Sequence, residues 1–478
     1  MAAGAARVSV CVIEKSAQHR YNERVDIQAH ESVGRLSQAV QFPTVNAAEV
    51  ADIPDPGVFG RFEQFLAESF PRVHATLQRE AIGDPGLLYT WSGRDASADP
   101  IILTAHYDVV PADRPGDWKH PPFSGAVVDD VVWGRGTIDD KSSLMAILEA
   151  AERLAEAGFT PERTVYFAFG GDEEVSGQHG AGRIAAALTE RGVRALCLVD
   201  EGTAVVENTV RLVDRPVALI GTAEKGYVDV RITARGADGH ASMPRRRTTV
   251  GRLARALRRI ERRPFPVRLV PSVRQFLAAI AEAAPMTYRP ILRRPRLFAP
   301  VLKRVLTTDP KTDALVRTTQ APTMLSGSSA PNVLPACAEA VVNVRILPGE
   351  TIASVCRRFV KVISDPTITV DVLNPSGSGE PVDASPASTD TYRSLCTVVS
   401  THFRDAVVVP YLVTATTDSK HYRHVSQAIY RFLPLRMDPA MLATVHGVDE
   451  RIGATSYLSM IDFYSDLIET LSRGAGNE

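Results

Sequence analysis

Residues 101–111 read Ile101-Ile-Leu-Thr-Ala-His106-Tyr-Asp108-Val-Val-Pro111. The apolar, β-favouring start predicts a buried strand, and the proline ends it just after one histidine and one aspartate. Residues i and i+2 of a strand point to the same face, which places His106 and Asp108 side by side. Open α/β sheets bind their ligands at the carboxyl ends of the strands. The pair therefore marks a candidate site, although a strand-end histidine beside an aspartate is also common on ordinary protein surfaces.

The composition limits the class of protein. The chain has 478 residues, of which 45% are hydrophobic and 23% are charged. This length predicts two or more domains, and this composition is typical of a soluble globular protein. The formal net charge of −1 argues against a general nucleic-acid-binding surface. No apolar run reaches the roughly 18 residues that a membrane helix needs, and residues 1–13 are too weakly apolar for a signal peptide or an anchor.

The cysteines indicate a reducing compartment. Their number is odd and their spacing shows no pairs, so they are predicted to be small buried hydrophobes and not disulfide partners. They are Cys11, Cys197, Cys337, Cys356 and Cys396. Together with the lack of a recognisable export signal, they predict a cytoplasmic protein.

Strands and helices alternate over the first 220 residues. This order predicts the α/β class, with a mostly parallel mixed sheet flanked by helices. The predicted helices are 26–41, 58–70, 142–157 and 182–191, and the predicted strands are 73–79, 87–92, 101–105, 164–169 and 195–199.

A different pattern occupies residues 221–374, and it predicts a smaller inserted α+β domain. Strands are expected at 223–234, 337–346 and 367–373 and helices at 250–262 and 351–364, with two or three further helices in an insertion at 270–318. The Pro/Ser/Gly-rich segment 375–386 is typical of a return linker. Residues 375–478 then complete the first domain, with helices at 389–402 and 454–472 and strands at 406–413 and 428–433.

Three predicted buried strands each end in acidic or imidazole side chains. His106 and Asp108 follow the first, Asp172-Glu173-Glu174 follow the second, and Asp200-Glu201 follow the third. A further acid, Asp139, precedes the helix at 142. Carboxylates gathered at one sheet edge repel one another unless a positive charge lies among them. This pattern predicts a metal site.

His106, Asp139, Glu174, Asp200 and His446 can together bind two divalent ions. One ion would take His106 and Asp200, the other Glu174 and His446, and Asp139 would bridge them. Mixed nitrogen and oxygen ligation suits Zn²⁺, and Mn²⁺ or Co²⁺ could occupy the same site. Two Zn²⁺ and three carboxylates leave one positive charge (+4 − 3), which a hydroxide would balance. The alternative is a set of unrelated solvated acids and histidines.

Glu173 is the expected general base. It neighbours a predicted ligand and lies on a turn, from where it could take a proton from water and pass it to a leaving nitrogen. The alternative is an ordinary loop acid.

The motifs, in chain order, resemble those of the M20 metallopeptidase family, which includes aminoacylases and carboxypeptidase S. They are His106-Tyr-Asp108-Val-Val-Pro111, Trp118, Pro122-Phe123, Gly134-Arg-Gly136-Thr-Ile-Asp139-Asp-Lys141, Asp172-Glu173-Glu174, Asp200-Glu201-Gly202 and His446-Gly-Val-Asp-Glu450. The resemblance implies a di-zinc catalytic domain (1–220 and 375–478) and a lid or dimerisation domain (221–374). It also implies the ligand roles given above, Glu173 as base and Asp108 as the group that orients His106.

Within this family the chain looks most like the carboxypeptidase S branch, which contains a secreted enzyme that makes and hydrolyses N-fatty-acyl amino acids. The lid motifs of that branch recur as Gly239-His240-Ala-Ser242, Asn332-Val-Leu-Pro335 and Arg345-Ile-Leu-Pro-Gly349. By resemblance His240 would stabilise the oxyanion, and Asn332 and Arg345 would bind the substrate's carboxylate. The alternatives are turn chemistry for His240 and Asn332 and a strand-edge charge for Arg345.

The expected substrate is a small molecule with a free carboxylate, an N-acyl amino acid or a short peptide. Two alternatives stay open, a non-catalytic metal-stabilised scaffold and a net synthase of N-acyl amino acids. A homodimer through the lid is a further expectation. The apolar residues of the 270–318 insertion are either a local core or an acyl-chain pocket, and Thr416–Ser419 fall where the family has a substrate-contacting loop.

Overall fold

The computed structural model describes residues 30–47 and 53–473. The predicted helix at 26–41 therefore begins outside the described residues, and residues 1–13 with Cys11 also lie outside them. The chain divides into two compact units. The smaller unit comprises Met1–Leu77, Tyr107–Thr160 and Ala440–Asp466, and the larger comprises Gln78–His106, Pro161–Pro439 and Leu467–Glu478.

Helices and strands are numbered here in chain order. The helices are α1 (30–40), α2 (Gly57–Ser69), α3 (Pro71–Thr76), α4 (Lys141–Glu156), α5 (Ala181–Glu190), α6 (Thr249–Glu261), α7 (Pro271–Ile280), α8 (Arg289–Arg293), α9 (Ala299–Leu306), α10 (Pro310–Val316), α11 (Ile352–Ile363), α12 (Asp390–His402), α13 (Pro439–Leu442) and α14 (Ala454–Ser472). The strands are β1 (Gln78–Ala81), β2 (Gly86–Trp91), β3 (Ile101–His106), β4 (Val127–Val128), β5 (Val131–Trp133), β6 (Val165–Gly170), β7 (Cys197–Asp200), β8 (Val205–Val206), β9 (Val217–Glu224), β10 (Gly226–Arg235), β11 (Gly239–His240), β12 (Thr319–Ser326), β13 (Val333–Leu334), β14 (Cys337–Ile346), β15 (Ile368–Val372), β16 (Val407–Val413), β17 (Ile429–Arg431), β18 (Arg436–Met437) and β19 (Arg451–Gly453).

The larger unit is built on a ten-stranded mixed sheet. Its order is β1-β2-β6-β3-β7-β17-β9-β8-β18, with β16 paired to β9. The central strands β6, β3, β7 and β17 run parallel to one another, and antiparallel neighbours flank them. Every residue of β3 and β7 is buried, as expected for strands with both faces covered. The predicted α/β class with a mostly parallel sheet is confirmed.

A second, four-stranded sheet lies within residues 221–374 in the order β12-β14-β10-β15. All its neighbouring strands are antiparallel. The inward residues of β10 and β14 alternate with outward ones, and they pack against the apolar faces of α6 and α11. This alternation is typical of a sheet with one face on the core.

Helix α7 of the 270–318 insertion packs on the main sheet. Phe276, Leu277 and Ile280 share a core cluster with residues of β9 and β16, and the Phe276 ring lies 5.6 Å from that of Tyr411 in a T-shaped contact. The local-core interpretation is therefore confirmed for these residues and for Leu302, which is 5% exposed. Phe298 is partly buried against the same cluster, whereas Leu297 and Val301 are exposed.

In the smaller unit a three-stranded sheet, β19-β5-β4, accompanies α4, which is buried over most of its length. The first residue of α4, Lys141, is fully buried, and its Nζ donates to the backbone carbonyls of Ala39 (3.0 Å) and Phe42 (2.5 Å). Burial lowers the pKa of Lys141 to about 7. Lys141 thus fixes the end of α1 to the start of α4.

Four local predictions differ from the structure. The insertion at 270–318 holds four helices, α7 to α10, where two or three were expected. Residues 73–79 were expected to form a strand, but Pro71 begins the short helix α3, as proline suits a first helical position, and only β1 follows. The strand predicted at 223–234 is two strands, β9 and β10, which separate at Lys225. The edge strand β12 has no counterpart among the predicted elements.

Cys197 is buried and the other described cysteines are half-buried, and all of them are free thiols. No helix in the described part of the chain is long and apolar enough to cross a membrane.

Candidate active site

The parallel strands β6, β3 and β7 are neighbours and end at the same edge of the main sheet. His106 pairs with Gly170 at the end of β6, and Leu103 pairs with Val199, one residue before Asp200. The acids that follow β6 consequently lie beside His106. Ligand atoms of His106, Glu173 and Glu174 all lie within 4.8 Å of one another.

The turn after β6 explains why Glu173 and Glu174 lie there. The buried carboxylate of Asp172 accepts the backbone N–H groups of His179 (2.7 Å) and Gly180 (2.8 Å). The short 3₁₀ helix Glu173–Val175 starts directly after it. Asp172 therefore shapes the turn, and its two acidic neighbours extend towards His106.

Glu173 lies in an enclosed and negatively charged environment. Burial raises the pKa of the Glu173 carboxyl well above its usual value, and His106 partly opposes this effect while Asp418 and Glu174 add to it. A carboxyl group with a raised pKa is a stronger proton acceptor than a solvated one, which suits a general base.

Asp200 ends β7 but is not part of the group formed by His106, Glu173 and Glu174. Its carboxylate accepts the backbone N–H groups of Glu201 and Ser419, each at 2.9 Å. Burial raises the pKa of Asp200, and Arg431 partly opposes this. These hydrogen bonds hold the carboxylate at the edge of the sheet.

A buried ion pair contacts the Thr416–Ser419 loop. Glu224 Oε2 is 2.6 Å from Nε of Arg431, and both side chains are almost completely buried. Glu224 also accepts the N–H (3.1 Å) and the hydroxyl (3.0 Å) of Thr417. Hydrogen bonds to Glu224 and Asp200 therefore hold the Thr416–Ser419 loop. Thr417, Asp418 and Ser419 are buried.

Asp418 belongs to the loop that the family resemblance marks as substrate-contacting, but the sequence did not indicate that it is a buried acid. Neither of its carboxylate oxygens accepts a hydrogen bond from a residue that the structure describes. A Cβ at Gly170 would lie 2.6 Å from one of these oxygens, and a Cβ at Gly177 would lie 1.9 Å from the other. The two glycines thus make room for this carboxylate. Burial, with Asp172 nearby, raises the pKa of Asp418 well above its usual value.

Asp139 and His446 lie together in the smaller unit. Nε2 of His446 is 3.0 Å from Oδ2 of Asp139, and the side chains are 51% and 19% exposed. His446 has a φ of 57°, in the left-handed region that few residues other than glycine adopt. Asp108, also in this unit, is fully buried.

Glu450 holds the two loops that carry Asp139 and His446. Its Oε1 accepts the N–H groups of Gly136 (3.0 Å), Ile138 (2.8 Å) and Asp139 (3.2 Å). Its other oxygen pairs with Arg135, whose guanidinium also donates to the carbonyl of Gly447 at 3.0 Å. The sequence motif contains Glu450, but only the fold shows that it joins the 135–139 loop to the 446–450 loop.

Two of the three predicted substrate-binding residues lie close together. β11 pairs with β13, His240 opposite Val333, and the Asn332 carbonyl accepts the N–H of Ala241 at 2.9 Å. Nδ1 of the exposed His240 lies 3.1 Å from the backbone N of Ser242 and 2.7 Å from its hydroxyl.

Arg345 lies at the opposite end of the four-stranded sheet. It pairs with Tyr227, and its guanidinium lies over that ring at 4.6 Å. Cys337, at the His240 end of β14, is eight residues away, or about 26 Å at the usual strand rise. Within one chain Arg345 is therefore far from His240 and Asn332.

The donor set of these residues fits divalent metal ions. His106 supplies an imidazole and Glu173 and Glu174 supply carboxylates within 4.8 Å of one another, a nitrogen and oxygen set that Zn²⁺ accepts. Asp418 adds a buried acid, and acids crowded in this way need a compensating positive charge.

Comparisons with known proteins agree with this architecture. The sequence model of peptidase family M20/M25/M40 matches residues 102–470. A probable carboxypeptidase S-like protein of Dictyostelium discoideum is 35% identical over 93% of this chain and 85% of its own length. An N-fatty-acyl-amino acid synthase/hydrolase of Danio rerio is 37% identical over 92% of this chain and 86% of its own length.

A solved structure shows the same fold. The M20 family metallo-carboxypeptidase of Sulfolobus solfataricus superimposes with a TM-score of 0.66 at 16% identity, over 92% of this chain and 99% of that one. With the family match across most of the sequence, the chain belongs to peptidase family M20/M25/M40 and is a metal-dependent hydrolase.

Proposed function

We propose that the protein hydrolyses the amide bond of N-acyl amino acids, or releases the C-terminal residue of short peptides, with two bound Zn²⁺ ions. The observation that carries this proposal is the group of His106, Glu173 and Glu174 at the ends of adjacent parallel strands. The pairing of Asp139 with His446 supports it. Mn²⁺ and Co²⁺ are the alternative metals.

In this proposal His106 and Asp200 would hold one ion, Glu174 and His446 would hold the other, and Asp139 would be shared by both. Asp108 orients the ring of His106. Bound divalent ions supply polarisation of the scissile carbonyl and a lowered pKa for the attacking water. Glu173 takes the proton from that water and delivers it to the leaving nitrogen.

The substrate is proposed to carry a free carboxylate, which Arg345 and Asn332 bind while His240 stabilises the oxyanion. A guanidinium binds a carboxylate through two parallel hydrogen bonds, and stacking on Tyr227 holds that of Arg345 in one orientation. Within one chain Arg345 is too far from the His240 hairpin to contact the same small substrate, so this part of the proposal requires the second chain of the proposed homodimer.

We propose residues 221–374 as a lid domain and as the interface of a homodimer. β12 is an edge strand, and its residues Met324 and Leu325 are 63% and 70% exposed. An exposed apolar edge strand is a template for pairing with a second chain. Next to it lies an apolar groove of about 630 Å³, lined by Val250, Leu325 and Val333 among others.

For the acyl group we propose a cavity in the helical insertion. It has a volume of about 540 Å³ and lies between α7 and residues 293–297, with Ala278 and Leu297 in its lining. Arg274, Arg293, Arg294 and Arg296 also line it. An apolar cavity with basic residues around it suits an acyl chain better than a polar peptide.

We also propose a cytoplasmic location, supported by the free thiols of the described cysteines. Net synthesis of N-acyl amino acids is the second candidate activity, and the name of the Danio rerio relative, synthase/hydrolase, favours it. A metal-stabilised scaffold without catalysis is the third candidate, and it has no support beyond the fold.

The deciding experiment combines metal analysis with a hydrolysis screen. Purified protein is assayed for bound metal and then against N-acyl amino acids of increasing acyl length and a panel of dipeptides. The proposal predicts about two metal ions per chain and release of free amino acids. Protein that carries metal but hydrolyses no substrate would support the scaffold instead.

A further inference from the structure

A strongly basic cavity lies beside α6, outside the candidate active site. Its volume is about 400 Å³, and its charged lining consists of Arg246, Arg247, Arg252, Arg255, Arg259 and Asp365. Five guanidinium groups and one carboxylate give a net charge of +4 (+5 − 1).

The walls of this cavity belong to two helices that are packed together. Arg252, Arg255 and Arg259 are at positions i, i+3 and i+7 of α6, so they share one face of the helix. The residues 363–366, from the last residue of α11 onward, also line the cavity. The buried faces of α6 and α11 meet in one apolar core, which fixes the distance between the walls.

Two of the arginines and the carboxylate are already bound within the chain. Arg259 donates to the carbonyl of Ile363 at the end of α11. Arg252 donates to Oγ1 of Thr367 at 2.9 Å. The Asp365 carboxylate accepts the N–H (3.0 Å) and the hydroxyl (2.6 Å) of Thr367. These contacts connect α6 to the segment after α11.

The other three arginines have no direct partner among the described residues, although Arg247 lies close enough to Asp365 to add to the lowering of that carboxyl's pKa by Thr367. Within residues 30–47 and 53–473, Arg246, Arg247 and Arg255 form no ion pair and donate no hydrogen bond. Arg246 and Arg247 come from the loop before α6 and Arg255 from the helix itself, so they approach the cavity from different directions. Cations crowded in this way repel one another, and an anion bound among them would remove that repulsion.

We propose that this cavity binds a polyphosphate-type anion, a ligand with two or more adjacent phosphate groups. Each guanidinium can bind a phosphate through two parallel hydrogen bonds. Three free guanidinium groups and a net charge of +4 exceed what one phosphate would neutralise. A soluble phosphate compound and a phosphorylated lipid headgroup share this chemistry. A solvated arginine-rich helix face, with no ligand, is the alternative.

The test is calorimetric titration of the full-length protein with inorganic tripolyphosphate at constant ionic strength. The cavity variant is Arg247→Ala/Arg255→Ala. The control variant is Arg258→Ala/Arg262→Ala, which removes the same charge from residues of the same region that do not line the cavity. A parallel sedimentation assay compares phosphatidylcholine vesicles with and without phosphatidylinositol bisphosphate.

The proposal predicts binding that the cavity variant weakens by about 10- to 100-fold, as expected for the loss of charge-assisted hydrogen bonds, and that the control variant weakens by less than about twofold. Binding to tripolyphosphate assigns the site to soluble ligands, and binding to the phosphoinositide vesicles alone assigns it to a lipid headgroup. Binding to neither probe, or equal weakening in both variants, would overturn the proposal. The single variant Arg255→Gln replaces the cavity variant if the latter does not fold.

Discussion

The side chains of Arg135 and Glu450, 315 residues apart in sequence, form an ion pair in which they are 2% and 0% exposed. The same carboxylate accepts three backbone N–H groups between Gly136 and Asp139. Removing one partner of a buried pair leaves the other charge buried and uncompensated, which is more costly than losing an exposed pair.

We therefore expect Glu450→Ala to lower the free energy of unfolding by about 3–5 kcal/mol, measured by urea denaturation. Asp462→Ala is the control, because its pair with Arg153 is largely exposed and is expected to contribute at most about 1 kcal/mol. Similar losses in the two variants would show that Glu450 has no special structural role.

Glu173→Gln is expected to lower kcat by about 10²- to 10⁴-fold, because it removes the proposed general base but keeps the size of the side chain. Metal content, measured by mass spectrometry, should not change. Glu190→Gln, at the end of α5, serves as the control and should retain full activity. A Glu173→Gln protein that has lost its metal would identify Glu173 as a ligand and not as a base.

Removal of metal by a chelator is expected to abolish hydrolysis and to lower Tm, since a ligand that binds only the folded state stabilises it. Activity should return with added Zn²⁺, Mn²⁺ or Co²⁺. His446→Ala should reduce the number of bound ions, whereas His424→Ala, at an exposed position, should not. Full activity in the presence of the chelator would exclude a metal-dependent reaction.

A loss of stability below neutral pH is expected from His421. Burial, with Lys420 nearby, lowers its pKa from 6.5 to about 4, and its Nε2 donates to the Ser176 carbonyl at 2.9 Å. The unfolded chain therefore binds this proton at a higher pH than the folded chain. The stabilising contribution is present above pH 6.5 and is lost as the pH falls towards 4, by about 3 kcal/mol in total.

The measurement is the free energy of unfolding at several pH values between 4 and 7, for the wild type and for His421→Gln. The variant keeps a donor for Ser176 but cannot take up the proton. The difference between the two proteins should depend on pH in this window. Parallel curves would assign the acid sensitivity to other groups.

Ala278→Phe is expected to fill the cavity beside α7 and to lower kcat/KM for long-chain N-acyl amino acids by about tenfold or more, with little effect on N-acetyl substrates. The short substrates provide the internal control, because they test folding and metal binding in the same protein. Equal effects on all chain lengths would remove the proposed acyl site.

The main sheet and the histidine–acid pattern could be predicted because each is encoded locally. A continuous apolar run followed by polar residues identifies β3, β6 and β7, and parallel strands bring their ends together whatever the rest of the fold. The same reasoning was wrong for residues 73–79, where Pro71 starts a helix. It also did not detect β12, because its pairing partner β14 is separated from it in the chain by β13.

The supporting contacts could not be predicted, since they join residues far apart in sequence. In the sequence Glu450 and Glu224 cannot be distinguished from other acids. Only the fold brings Arg135 to Glu450, and Arg431 and Thr417 to Glu224. The separation of Arg345 from His240 has the same origin, because it depends on the length of β14 between them.

The contact between Arg135 and Glu450 also sets the order in which the protein can mature during synthesis. A ribosome must add more than 300 residues after the 135–139 loop before the 446–450 loop exists to pair with it. Until then Asp139 lacks both its neighbour His446 and the acid that shapes its backbone. A chain that ends before residue 446 thus lacks His446, one of the proposed metal ligands, and the acid that shapes the loop of Asp139.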